Sequence, residues 1–121
     1  MSDLLLDINL QQLPDEYLAG AWRVASRVLN QNSPASPLAL AVRLVLSPGK
    51  LVAQAADEQA LAQGSWAVQR DELLKRPYLR FELPQEQVNA LVTRLRRSPN
   101  GEQSQLSLYF ASGMEMQLER V

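Results

Sequence analysis

In 78-YLRFELPQEQVNALVTRLRRSPNGEQSQLSLYFASGMEMQLERV-121, Leu79, Phe81 and Leu83 alternate with Tyr78, Arg80 and Glu82. That is the period of two of a half-buried strand. Pro84 then suits a first helical position. The apolar set Val88, Leu91, Val92 and Leu95 has the spacing i, i+3, i+4, i+7, which predicts an amphipathic helix over 84–97. Arg94, Arg96 and Arg97 fall at its end, where a helix dipole favours cations, and Ser98-Pro99-Asn100-Gly101 terminates it. A C-terminal β-hairpin over 104–120 follows. Leu106, Leu108 and Phe110 stand across from Met114, Met116 and Leu118, joined through Ala111-Ser112-Gly113. Gln105, Ser107, Glu115, Gln117 and Glu119 take the other face.

Moving to the N-terminus, Leu4, Leu6, Ile8 and Leu10 alternate with Leu5, Asp7, Asn9 and Gln11, a strand pattern. Pro14, with Asp15 and Glu16 behind it, marks the start of a second predicted helix over 14–30. Leu18, Trp22, Ala25 and Leu29 form one apolar stripe along it, and Tyr17, Ala21, Val24 and Val28 an adjacent one. A face that wide implies a helix sunk between layers or shared with another subunit.

Between the two helices, the stretch from Asn30 to Pro37 reads as a loop and Leu38 to Leu46 as a buried strand. Ser47-Pro48-Gly49-Lys50 reads as a turn leading to a return strand over 50–55. Asp57 to Gln63 reads as a short helix stopped by Gly64, Ser65 to Gln69 as a strand, and Asp71 to Arg76 as a helical turn capped by Asp71. The sum is one α+β domain over 1–121: a mainly antiparallel sheet packed by two long amphipathic helices.

The chemical inventory is sparse. The chain has no histidine, no cysteine and two lysines, and no spacing matches a metal, phosphate-loop or nucleophile motif. Asp15-Glu16, Asp57-Glu58 and Asp71-Glu72 are adjacent carboxylates, but each lies where a helix is expected to begin, so capping accounts for them. No catalytic residue, cofactor or metal ligand is assigned, and an enzyme is not expected; a metal-dependent enzyme using Asp or Glu ranks third among the functional readings.

With a net charge of −1 and a pI near 5.4, no protein-wide positive field draws nucleic acid or anionic lipid. The N-terminal residues lack a signal-peptide pattern and no run of about twenty apolar residues could span a membrane, so a cytoplasmic location is expected. Ten arginines against two lysines fit a bacterial proteome.

Function follows by elimination. The expected role is a non-enzymatic protein-interaction module, such as an adaptor, a secretion-type chaperone or an assembly subunit, self-associating as a homodimer. Tyr17, Trp22 and Val24 on the first helix, with Met114 and Met116 on the hairpin, are the candidate protein interface. The alternative is a nucleic-acid or phospholigand binder using Arg94, Arg96 and Arg97.

Overall fold

A computed structural model describes residues 5–28, 37–84 and 86–121 of the chain. The two long helices expected over 14–30 and 84–97 are absent from the described residues; strands Gly20–Val28 and Glu86–Arg97 of a closed antiparallel barrel run there instead. The strands are β1 Leu6–Asp7, β2 Gly20–Val28, β3 Arg43–Ser47, β4 Lys50–Gln54, β5 Ala60–Arg70, β6 Pro77–Leu83, β7 Glu86–Arg97, β8 Ser104–Phe110 and β9 Glu115–Arg120. Among the described residues, helical structure is confined to α1, Pro37–Leu40, and two 3-10 turns, Leu10–Gln12 and Asp15–Leu18. From β2 to β9 each strand pairs with the next in sequence, and β2 pairs back onto β9, closing eight strands up and down. Strand β1 adds outside, through Leu6 opposite Arg97 and Asp7 opposite Arg96.

The physical reason for the misreading of β7 is a bulge. Its pairing with β8 runs Ala90 to Phe110 and Val92 to Leu108, then resumes at Arg94 opposite Ser107, leaving Thr93 as the extra residue. Inward positions are therefore Val88, Ala90, Val92 and, after the bulge, Leu95. The step of three from Val92 to Leu95 imitates a helical period. Leu91, which the helical stripe would bury, points outward and is 38% exposed, whereas Leu95 is fully buried. Pro84 sits in the turn after β6.

Strand β2 carries the same device. Trp22 and Val24 pair with Arg120 and Leu118, then Ser26 pairs with Gln117, so Ala25 is the bulged residue and Arg27 turns inward opposite Met116. A helix cannot run through this region, because Gly20 has φ 126°, a conformation other residues rarely adopt. Two smaller corrections concern the middle of the chain. The run Leu38 to Leu46 divides into α1 and β3, and the short helix expected over 57–63 is a turn followed by the start of β5. The Ser47–Lys50 turn, the strand over 78–83 and the C-terminal hairpin are as expected. Leu4, Leu29, Asn30, the loop residues 31–36 and Gln85 lie outside the described residues.

Eight strands enclose a space that side chains can fill. Here Trp22, Leu44, Leu46, Leu51, Leu79, Phe81, Leu95, Leu106, Leu108, Phe110, Met116 and Leu118 fill it, with Phe81 and Phe110 stacked at 6.1 Å between ring centroids. Where β5 crosses β6 the inward position is Gly64, because a Cβ there would run into the carbonyl oxygen of Glu82. Outward positions carry Arg23, Arg43, Gln63, Arg80, Glu82, Gln87, Arg94, Gln105 and Glu119. Apolar inside and polar outside is the reverse of the transmembrane barrel pattern, and no helix among the described residues is long and apolar enough to cross a membrane.

Three arginines hold the covers of the barrel ends. At one end Arg70, at the close of β5, donates to the carbonyls of Leu10 and Lys75, both at 2.9 Å, and of Leu13 at 2.5 Å. It also pairs with Asp15 at 3.2 Å. Arg120 at the same end donates to the carbonyls of Ala19 and Tyr17, both at 2.5 Å. At the other end Arg27 donates to the carbonyls of Ala41 and Leu38, tying down α1, whose Leu38 and Ala39 are buried.

Candidate functional site

With core side chains filling the interior, the outer wall is one surface on which this barrel can meet another molecule. Register places five outward residues side by side across β5 to β9. Gln69 lies opposite Tyr78, Tyr78 opposite Leu91, Leu91 opposite Tyr109, and Tyr109 opposite Glu115. The middle three form an aromatic–aliphatic–aromatic row on a wall whose other outward positions are mostly polar. Leu91 is 38% and Tyr109 47% exposed, and with Tyr78, Asn89 and Ala111 they line a shallow depression of about 300 Å³.

Local structure fixes the row. Tyr78 stands one residue from buried Leu79, and its hydroxyl donates to Gln69 Oε1 at 2.7 Å. Tyr109 lies between buried Leu108 and Phe110, so strand alternation turns it outward. The Ala111 amide donates to the Asn89 carbonyl at 2.9 Å, fastening the start of the β8–β9 turn to β7 beside the depression.

The residues expected at a protein interface lie elsewhere. Trp22, Met114 and Met116 are buried in the barrel, and Val24 packs against that core from the inner face of β2. Trp22 Nε1 donates to the Leu18 carbonyl at 3.0 Å. Tyr17 belongs to the Asp15–Leu18 turn, where its hydroxyl meets Ser104 Oγ at 2.7 Å and its ring has Arg97 and Arg120 at 5.6 and 5.3 Å. All five therefore serve the interior or its cover.

The arginine cluster is also divided. Asp7 of β1 binds both Arg94, at 2.9 Å, and Arg96, at 3.6 Å, on the outer wall. Arg97, one residue on, turns to the opposite face and lies over Tyr17. On the expected helix Arg94 and Arg97, three residues apart, would share a face; the strand separates them. Among the described residues no group of three or more acidic side chains converges to hold a metal ion.

Sequence reasoning missed Tyr78, Leu91 and Tyr109 as a set. Two aromatics at the polar phase of their strands were a usable signal. Leu91 carried none, because it completed a helical stripe. Compared with protein-family models, with curated proteins and with solved structures, the chain finds no match in any of the three.

Proposed function

We propose that this chain is a non-enzymatic protein-interaction domain that docks through the outer wall of its barrel, around Leu91. The observation that carries this reading is the Tyr78–Leu91–Tyr109 row, three large side chains partly exposed in water on a wall whose other outward positions are mostly polar. Exposed tyrosines are among the side chains enriched at interfaces and their hot spots. The packed core supports the same reading, since it gives a rigid wall that loses little freedom on binding. The domain works in an aqueous compartment, the cytoplasm, with the polar face outward. The anion-binding alternative draws less support, because Arg94 and Arg96 already share Asp7 and Arg97 is engaged by Tyr17.

Site-specific photo-crosslinking in cells tests the proposal. A benzophenone side chain at Leu91 should form discrete protein adducts, whereas the same group at Val45, on the opposite wall, should form none. Equal labelling at both positions, or none at either, would contradict it.

A further inference from the structure

We infer that Asn100-Gly101, in the turn between β7 and β8, is a self-modification site at which the folded chain converts its own asparagine to aspartate and isoaspartate. The pair closes the segment Ser98-Pro99-Asn100-Gly101, and the proposed docking wall makes no use of it. Of the chain's asparagines, Asn100 alone precedes a glycine, so its following amide carries no side chain to hinder it. Asn100 is exposed, and water reaches it.

The turn arranges the parts of an acyl transfer. The electrophile is the Asn100 side-chain carbonyl, whose Oδ1 accepts from Ser98 Oγ at 2.5 Å and from the Glu102 amide at 3.0 Å. Ser98 is 3% exposed, and its hydroxyl oxygen accepts from the Gln103 amide at 3.0 Å, which aims the hydroxyl proton at Oδ1. Two donors thus converge on the oxygen where negative charge develops when the carbon is attacked. The bond to Glu102 also folds the Asn100 side chain back over the Asn100–Gly101 peptide, bringing Cγ beside the Gly101 nitrogen. That nitrogen is the nucleophile, and it donates its proton to the Ser98 carbonyl at 2.9 Å. A cation completes the site. Arg97 Nη2 would lie 2.7 Å from a Cβ placed on Gly101, so the guanidinium rests against the residue whose amide must give up its proton.

The reaction needs only water. As Gly101 N bonds to Asn100 Cγ, the Cγ–Nδ2 bond breaks, and the proton given up by the Gly101 amide leaves with that nitrogen as ammonia. Water then opens the resulting succinimide at Cγ to leave aspartate, or at the backbone carbon to leave isoaspartate, with no change of oxidation state. Isoaspartate lengthens the main chain of a turn tied by the Ser98 amide to the Gln103 carbonyl at 3.0 Å. The modification therefore loosens the β7–β8 connection.

Incubating the full chain at neutral pH and following Asn100 by peptide mass mapping tests this. The folded chain should modify Asn100 faster than the same chain unfolded in guanidinium chloride, while Asn89, exposed on β7, stays an amide. Ser98→Ala should slow the folded reaction roughly tenfold, the worth of one hydrogen bond to a developing negative charge, and leave the unfolded rate unchanged. If that variant does not fold, Arg97→Gln, at an exposed position, takes its place with the same expected direction. A folded wild type that reacts no faster than the unfolded chain would overturn the inference, because the turn would then protect Asn100. A folded variant as fast as the wild type would overturn it too.

Discussion

The guanidinium of Arg120 lies 3.9 Å from the centroid of the Trp22 ring while donating to the carbonyls of Tyr17 and Ala19. One side chain thus joins the largest core residue to the turn that covers the barrel end. Burial pushes its pKa below the ordinary arginine value, and Tyr17 pulls it partly back.

Replacing Arg120 with methionine roughly keeps the volume and removes both hydrogen bonds and both cation–π contacts, with Trp22 and with Tyr17. A loss of about 2–3 kcal/mol is expected, read as a lower urea midpoint at unchanged slope. Lysine should recover less than half of it, since a point charge cannot reproduce the planar fork over an indole. A lysine variant as stable as the wild type would show that charge alone suffices.

Leu91 and Leu95 separate a bulged strand from a helix. Leu95→Ala should cost ~2–5 kcal/mol by opening a cavity in the core, whereas Leu91→Ala, on the outer wall, should stay within ~0.5 kcal/mol. Chemical denaturation of the two variants checks this. Similar losses would restore the helical stripe.

How much was legible in the sequence turns on those bulges. Leu79, Phe81 and Leu83 have the unbroken period of a strand, and they lie inside as that period requires. Thr93 and Ala25 each add one residue to a strand, which converts a step of two into a step of three. Val88, Val92 and Leu95 then fit a helix as well as they fit the barrel wall. Their β-branched members, Val88, Val92 and Thr93, already leaned toward a strand. Closure of β2 onto β9 could not be read at all, because pairing between Trp22 and Arg120 is set by register and twist rather than by local pattern. The inward turn of Arg27, Arg70 and Arg120 was hidden for a related reason. Their partners are backbone carbonyls, which leave no mark in composition.

Arg70 offers a test of local rather than global stability. In Arg70→Gln the carbonyls of Leu10 and Leu13 lose their donor, so the covering segment should open more often. Hydrogen exchange at the amides of Ile8, bonded to Leu95, and Gln12, bonded to Asn9, should quicken roughly tenfold or more, a change of ~1.4 kcal/mol in opening. Exchange at Phe81 should not change. Uniform acceleration would mean that the covering turns and the barrel unfold together.

Asp71 gives the turn between β5 and β6 a pH dependence. Its carboxylate accepts from the amides of Leu74 at 2.6 Å and Arg76 at 2.7 Å. The Leu74 bond is the main cause of a pKa below the ordinary aspartate value, with the Arg76 bond adding to it. A depressed carboxyl pKa stabilises the fold above the unfolded-state value, and that contribution is lost as pH falls through the folded-state value. Asp71→Asn should therefore melt below the wild type at neutral pH, and the gap should close in acid below the carboxylate range. A gap independent of pH would assign the effect to something other than the ionised carboxylate.

Leu91 is the residue on which the barrel fold and the proposed docking wall both depend, and nuclear Overhauser contacts from its backbone protons test the register that places it there. The barrel places Tyr78 on one side of Leu91 and Tyr109 on the other, so cross-strand contacts to both residues are expected. Contacts from Leu91 to Val88 and Leu95 at helical spacing, with none to Tyr78 or Tyr109, would contradict the barrel and the docking wall together.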